Sequence, residues 1–265
     1  VALVFNGEIY NHKELRARLM NRGYQFNSET DTEVIVYLYE EFGEQCVLHL
    51  RGMFAFAIYD ARDNSIFLAR DRLGIKPLYY INNGQCFAFC SEVKGFSALD
   101  SVHFSSELSG DALRSLLSFP FFPDNHQTIF RNVLKVAPGH TLTYRCGSIV
   151  SKQYWQLNTD VHYGVPFCDA TSEMDRLLVE SVSLELQADV PVGILLSGGL
   201  DSSLIAALAK TNTDDVRTFT VGYDHPWDER AFAAQVAAHI GSQHQSIELN
   251  PLDVSNRIEE IVPTL

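Results

Sequence analysis

Apolar positions in the first ninety residues follow two periods in turn. Val1 to Phe5 is an unbroken apolar run that predicts a strand, interrupted at Asn6-Gly7, a dipeptide that readily supplies positive φ. Asn11 followed by Glu14 forms a capping-box pattern opening a helix, with Leu15 and Leu19 on one face and Gly23 at its end. Thr30 and Glu33 repeat the device for a second helix, whose Val34, Ile35, Leu38 and Phe42 run up to Gly43. The period then drops to two. Phe54, Phe56 and Ile58 alternate with Ala55, Ala57 and Tyr59, Asp63-Asn64 turns, and Ile66 to Ala69 returns. Pro77 to Ile81 and Gln85 to Cys90, joined by Asn82-Asn83-Gly84, predict a further hairpin. An antiparallel meander beside helices is an α+β pattern.

Leu108 to Leu117 predicts a helix, interrupted by Pro120 and Pro123, and Thr141 to Tyr144 with Ile149 to Trp155 predicts a hairpin around Gly147. A domain boundary is placed at Cys168, giving segments 1–168 and 169–265. From Ser172 the helical period returns through Met174, Leu177, Leu178, Ser181 and Val182. Strand and helix then alternate: Val192 to Leu196, Asp201 to Lys210, Arg217 to Tyr223, Glu229 to Ile240, Ser246 to Leu249. That alternation predicts a parallel sheet with right-handed crossovers.

A hydrophobic share of 46% and a charged share of 20% over 265 residues suit a folded chain of about two domains and exclude disorder. No run reaches a membrane-spanning length, and the first residues lack the charged start of a signal peptide, so a cytoplasmic protein is expected. A net charge of −13 supplies no field for nucleic acid or an anionic membrane, so any phosphate must be held locally by backbone amides or a metal. The five cysteines form no CxxC pair and are expected to be buried free thiols. The chain opens without Met and stops just after a new helical pattern begins, as expected of an internal piece of a longer protein.

The sharpest chemical signal is Leu196-Ser197-Gly198-Gly199-Leu200-Asp201-Ser202-Ser203, set between a buried strand and a helix. Two glycines let the backbone aim its amides at one point, and the helix amino end adds partial positive charge, so a phosphate can be cradled without a basic side chain. The Gly-Lys-Ser/Thr ending of the common NTPase loop is absent. Ser197 and Ser202 offer hydroxyl donors and Asp201 a carboxylate for Mg2+. The plain alternative is a tight turn in which Ser197 and Asp201 merely cap the helix.

This string resembles the pyrophosphate loop of the PP-loop ATP pyrophosphatases, which cleave ATP to AMP and pyrophosphate. Phe5 to Asn11, Thr30 to Val34, Arg51 to Ala57 and Asp71 to Tyr80 resemble segments of class II glutamine amidotransferases, in that order. Together the two halves are similar to the glutamine-hydrolysing asparagine synthetases. The resemblance implies a layered, Ntn-hydrolase-like α+β domain followed by an α/β PP-loop domain, both incomplete. It also implies glutamine, aspartate and ATP as substrates, Mg2+ as cofactor, and a homodimer.

Carried over by position, the Asn6 side-chain amide and the Gly7 backbone amide would form an oxyanion hole. Asp31 would hold the α-ammonium of glutamine beside Gly7 and Glu8; its plain alternative is a first-turn acid complementing the helix dipole, a role it could fill at the same time. Leu195, Ser197, Gly198, Gly199, Asp201, Ser202 and Val221 would surround the nucleotide. For Leu195 and Val221 the alternative is burial inside a parallel sheet. The family's nucleophile is an amino-terminal cysteine whose own amine is the base, and residue 1 here is Val, so this piece by itself is expected to lack glutaminase activity. Two other readings stay open: a related amidotransferase or β-lactam synthetase with another acceptor acid, and a non-catalytic protein that binds nucleotide or glutamine.

Overall fold

The computed structural model describes residues 1–99, 104–119, 126–160, 164–250 and 255–262. Pro120 and Pro123, named above, lie outside that set. The chain divides into two compact units, Val1–Asp160 and Val161–Leu265.

In the first unit a five-stranded antiparallel sheet runs in the order β1-β2-β3-β7-β8, from β1 (Ala2–Ile9), β2 (Gly52–Asp60), β3 (Ser65–Arg70), β7 (His140–Arg145) and β8 (Ser148–Gln153). A second antiparallel sheet holds β4 (Tyr79–Asn82) between β5 (Phe87–Cys90) and β6 (Leu134–Lys135). The period-two pattern in β2 is a division of labour between layers. Phe54, Phe56 and Ile58 bury against α1 (His12–Met20) and α2 (Thr32–Phe42), whereas Ala55 and Ala57 pack with Leu78 and Val136 on the other face. Large side chains fill the helix layer, and alanines let the two sheets approach. A further helix, α3, spans Gly110–Ser118.

Three local expectations are corrected. Strand β1 does not stop at Asn6-Gly7 but continues to Ile9, paired throughout with β2. Gly7 sits in the strand at φ +151, where a β-carbon would lie 2.1 Å from the Met53 carbonyl oxygen, so the glycine permits close strand approach and makes no turn. Asn11 caps nothing with its side chain. Its Nδ2 donates to the His49 carbonyl at 3.0 Å, and its Oδ1 accepts from the Arg51 amide at 2.9 Å, clamping the chain just ahead of β2. Thr30 and Glu33 do not form a capping box either: α2 is preceded by Asp31, and Glu33 accepts from the Asn27 and Ser28 amides and the Ser28 hydroxyl. Those bonds hold the Glu33 carboxyl down at about 2.

Asn11 is buried, and both its bonds reach backbone groups about forty residues away. Asn11→Ala is expected to destabilise the chain by about 1 to 3 kcal/mol through two orphaned backbone groups, read as a lower urea midpoint. An unchanged midpoint would show that water replaces the clamp at no cost.

The second unit is built on three parallel strands in the order β11-β10-β9: β9 (Gly193–Leu195), β10 (Arg217–Gly222) and β11 (Gln243–Glu248). Three helices alternate with them: α4 (Phe167–Glu185), α5 (Leu200–Asn212) and α6 (Arg230–Ile240). Helix α4 starts five residues ahead of the expected Ser172, so Cys168 lies in its first turn.

The cysteines are free, as expected, but mostly not buried. Only Cys46 is buried, with its thiol pushed up to about 12 by that burial, whereas Cys146 and Cys168 are exposed. Cys146 occupies the β7–β8 turn at φ +50.

Candidate functional site

In the first unit the candidate residues gather along β1. The Tyr10 amide donates inward to the Arg51 carbonyl at 2.8 Å, and the Ile9 amide donates the other way, to Asp31 Oδ2 at 2.8 Å. Backbone groups alternate direction along an antiparallel strand, so the Gly7 amide shares the Ile9 side, the open edge away from β2. Asn6 and Glu8 are exposed, and Gly7 and Asp31 half-buried. Asp31 caps no amide of α2 with its side chain, and its Oδ1 accepts from the Thr32 hydroxyl at 3.3 Å, so a place beside the helix dipole is compatible with the site role. Its Oδ2 bond to Ile9 ties the start of α2 to the strand that carries Asn6 and Gly7.

Asn6 also faces a cleft of about 250 Å3 between the two sheets, with Ala55 and Ala57 on one wall and Leu78, Cys90 and Ser91 on the other. The Asn6 Nδ2 donates to Ser91 Oγ at 3.4 Å. Sequence reasoning did not find Ser91, because its link to Asn6 spans 85 residues and no local pattern marks it.

A second missed residue is Asp71, which is buried at 1% exposure and anchors the loop following β3. Its Oδ1 accepts from the Leu73 and Ile75 amides, and its Oδ2 from those of Phe54 and Lys76. Its backbone oxygen takes the Gly74 and Gly139 amides. Asp71 opens one of the segments carrying the resemblance, and its carboxylate serves there as the hub of a loop.

The second cluster lies at the carboxyl end of β9. Leu196 is buried and its amide donates to the Phe219 carbonyl, after which the chain turns into α5. Ser197 and Ser202 close the turn, with their hydroxyl oxygens 2.9 Å apart and the Gly199 amide donating to Ser197 Oγ at 3.3 Å. The two glycines are not equivalent. Gly198 takes φ +81, and a β-carbon there would lie 2.6 Å from the Phe232 carbonyl carbon and 2.7 Å from the Ala233 amide nitrogen. Gly199 has φ −72 and would meet only Ser197 Oγ at 3.3 Å, so the turn itself requires Gly198 alone.

Asp201 lies exposed in the first turn of α5, where an acidic side chain complements the helix amino end. The Ser203 hydroxyl is buried and lacks a partner. Leu195 and Val221 are 76% and 49% exposed in this chain and present apolar surface beside the loop. No group of three or more His, Cys, Asp or Glu among the described residues could hold a metal by itself. A single carboxylate in the first turn of α5 suits an ion that takes its other ligands from phosphates and water. No described helix is long and apolar enough to cross a membrane.

Residues 1–155 match the family model of a glutamine amidotransferase domain, and residues 173–265 that of asparagine synthase. The chain is thus a glutamine amidotransferase domain followed by an asparagine synthase domain. It is 37% identical to glutamine-hydrolyzing asparagine synthetase 1 of Bacillus subtilis, over 98% of this chain and 41% of that protein. It is 32% identical to asparagine synthetase 3 of the same organism, over 98% of this chain and 44% of the other. Against asparagine synthetase 2 of Arabidopsis thaliana it is 34% identical, over 99% and 41% of the two chains. The chain belongs to the family of glutamine-hydrolysing asparagine synthetases. It spans less than half the length of these three relatives.

Proposed function

We propose that the intact protein makes asparagine from aspartate, using ATP and nitrogen taken from glutamine. The observation that carries this reading is the turn at Gly198, a glycine-rich bend between a parallel strand and a helix amino end, with no lysine in it. In the first unit the Asn6 side-chain amide and the outward Gly7 amide receive the negative charge that builds on glutamine's amide oxygen. The Asp31 carboxylate, oriented by the Ile9 amide, pairs with the substrate's α-ammonium, and Glu8 lies exposed on the same strand.

In the second unit a β-carboxylate oxygen of aspartate attacks the α-phosphorus of ATP, forming β-aspartyl-AMP and expelling pyrophosphate. The Ser197–Ser202 turn grips that leaving group, and Leu195 and Val221 offer apolar surface to the adenosine. Ammonia then attacks the activated carbonyl and AMP departs. Asp201 would hold Mg2+, whose charge offsets that of the phosphates. A homodimer in the cytoplasm completes the proposal.

The intact protein should release AMP and pyrophosphate in step with asparagine. Release of ADP and orthophosphate would overturn the reading. Within the glutaminase half, Asn6→Ala should lower kcat for glutamine hydrolysis about 100-fold with KM little changed, the effect of losing one oxyanion donor. Asp31→Ala should instead raise the glutamine KM and leave ammonia-dependent synthesis intact. Reversed signatures, KM at Asn6 and kcat at Asp31, would exchange the two roles.

A further inference from the structure

Three charged side chains meet where β10 and β11 end. Arg230, the first residue of α6, places its Nη2 2.6 Å from Asp228 Oδ2 and its Nη1 3.0 Å from Glu248 Oε2. Its Nε also donates to Asp228 at 2.7 Å, and its backbone amide to Asp228 Oδ1 at 3.0 Å. Arg230 and Asp228 are each about one-fifth exposed, and Glu248 lies on the outside at 69%. Hydrogen bonding to the guanidinium holds the Asp228 carboxyl below its ordinary range.

The pair rests on the sheet. A β-carbon at Gly222, the last residue of β10, would lie 2.5 Å from Asp228 Oδ1 and 2.8 Å from Arg230 Cγ. Glu248 pairs with Gly222 in the strand register, and the Leu249 amide donates to the Gly222 carbonyl at 2.7 Å. The guanidinium therefore ties the first turn of α6 to the end of β11 through Glu248, while the Asp228 carboxylate and the Arg230 stem pack over the end of β10 at Gly222. That same turn is the floor of the candidate phosphate loop: the Gly198 backbone presses on Phe232 and Ala233.

From this chain of contacts we infer that Arg230 is a positioning residue for the Ser197–Ser202 turn. It holds the helical floor on which Gly198 rests and neutralises two carboxylates that would otherwise oppose a polyphosphate. The inference rests on the nucleotide reading of that turn given above. Arg230 reaches the ligand through the backbone of α6, so its removal acts on affinity more than on the chemical step. Salt matters as well, because repulsion from unpaired Asp228 and Glu248 is screened by ions, whereas a displaced helix is not.

The test uses the intact protein, with ATP as the varied substrate in a pyrophosphate-release assay. Arg230→Met should raise the KM for ATP about tenfold or more with kcat within about threefold, the signature of an interaction that acts on binding and not on the chemical step. The gap should narrow as salt is added. Arg230→Lys keeps the charge but reaches fewer acceptors, and its KM should rise about threefold. Should Arg230→Met not fold, the lysine variant decides alone, and a wild-type KM there overturns the proposal. Gly198→Ala, run in parallel, separates the two ideas. Loss of ATP chemistry in Gly198→Ala with an unchanged KM in the Arg230 variants defeats the positioning role only. Full ATP chemistry in Gly198→Ala defeats the nucleotide reading itself.

Discussion

Gly198→Ala is expected to abolish ATP-dependent asparagine formation by the intact protein. The backbone at φ +81 costs an ordinary residue about 1 to 2 kcal/mol. The new β-carbon would also sit 2.6 and 2.7 Å from the Phe232 carbonyl carbon and the Ala233 nitrogen. Both belong to helix backbone and cannot rotate aside as a side-chain tip could. The loop must move instead, and a displacement of about 1 Å at a reacting centre costs about 100-fold in rate. Gly199→Ala is the contrasting variant. Its β-carbon would meet only the Ser197 hydroxyl at 3.3 Å, so the turn survives, and any activity lost there reports on the bound phosphates. Pyrophosphate release measured on both variants decides the matter, and wild-type turnover by Gly198→Ala would show that the turn does not hold the nucleotide.

Asp71→Ala should produce the largest loss of stability in the first unit. Four backbone amides depend on that carboxylate, those of Phe54, Leu73, Ile75 and Lys76, and the group is 1% exposed. Alanine leaves these four donors without their acceptor. The expected cost is about 3 kcal/mol or more. For a unit of this size that lowers the melting temperature by about 6 to 12 °C. The loop from Leu73 to Lys76 should loosen first, visible as faster amide exchange there than in β2. A melting temperature within a degree of the parent would mean that the Arg70 guanidinium, which donates to the Gly74, Lys76 and Val136 carbonyls, holds the loop unaided.

Much of the second unit was legible in the sequence because its strands and helices alternate, and that alternation admits few topologies. The β2–β3 pairing was equally plain, since Phe54, Phe56 and Ile58 point one way and the alanines the other. What the chain concealed were side chains whose partners lie outside the helix that their spacing suggests. Asn11 and Glu33 carry the spacing of helix caps, but tertiary partners took their bonds, from His49 and Arg51 in one case and from the Asn27–Ser28 loop in the other. Asn6-Gly7 has the composition of a turn, yet the glycine serves strand packing against Met53. Leu195 and Val221 have the composition of buried strand residues, and only the coordinates show them exposed. At the bend between β9 and α5 the pattern placed the turn but treated its two glycines alike, because φ is not written in residue type.

The distribution of thiols gives the molecule a built-in pair of spectroscopic handles. Cys146 lies at a hairpin tip of the first unit and Cys168 in the opening turn of α4 in the second, both open to solvent, while Cys46 is sealed in the core with a thiol that stays protonated at neutral pH. Maleimide reagents should modify the outer two first, since thiolate fraction and access together set the rate. Cys86 and Cys90 are half-buried and should follow more slowly; the Cys90 Sγ also donates to the Glu92 carbonyl at 2.7 Å. A donor and acceptor dye on Cys146 and Cys168 would turn the separation of the two units into an optical signal that can be followed as glutamine or ATP is added.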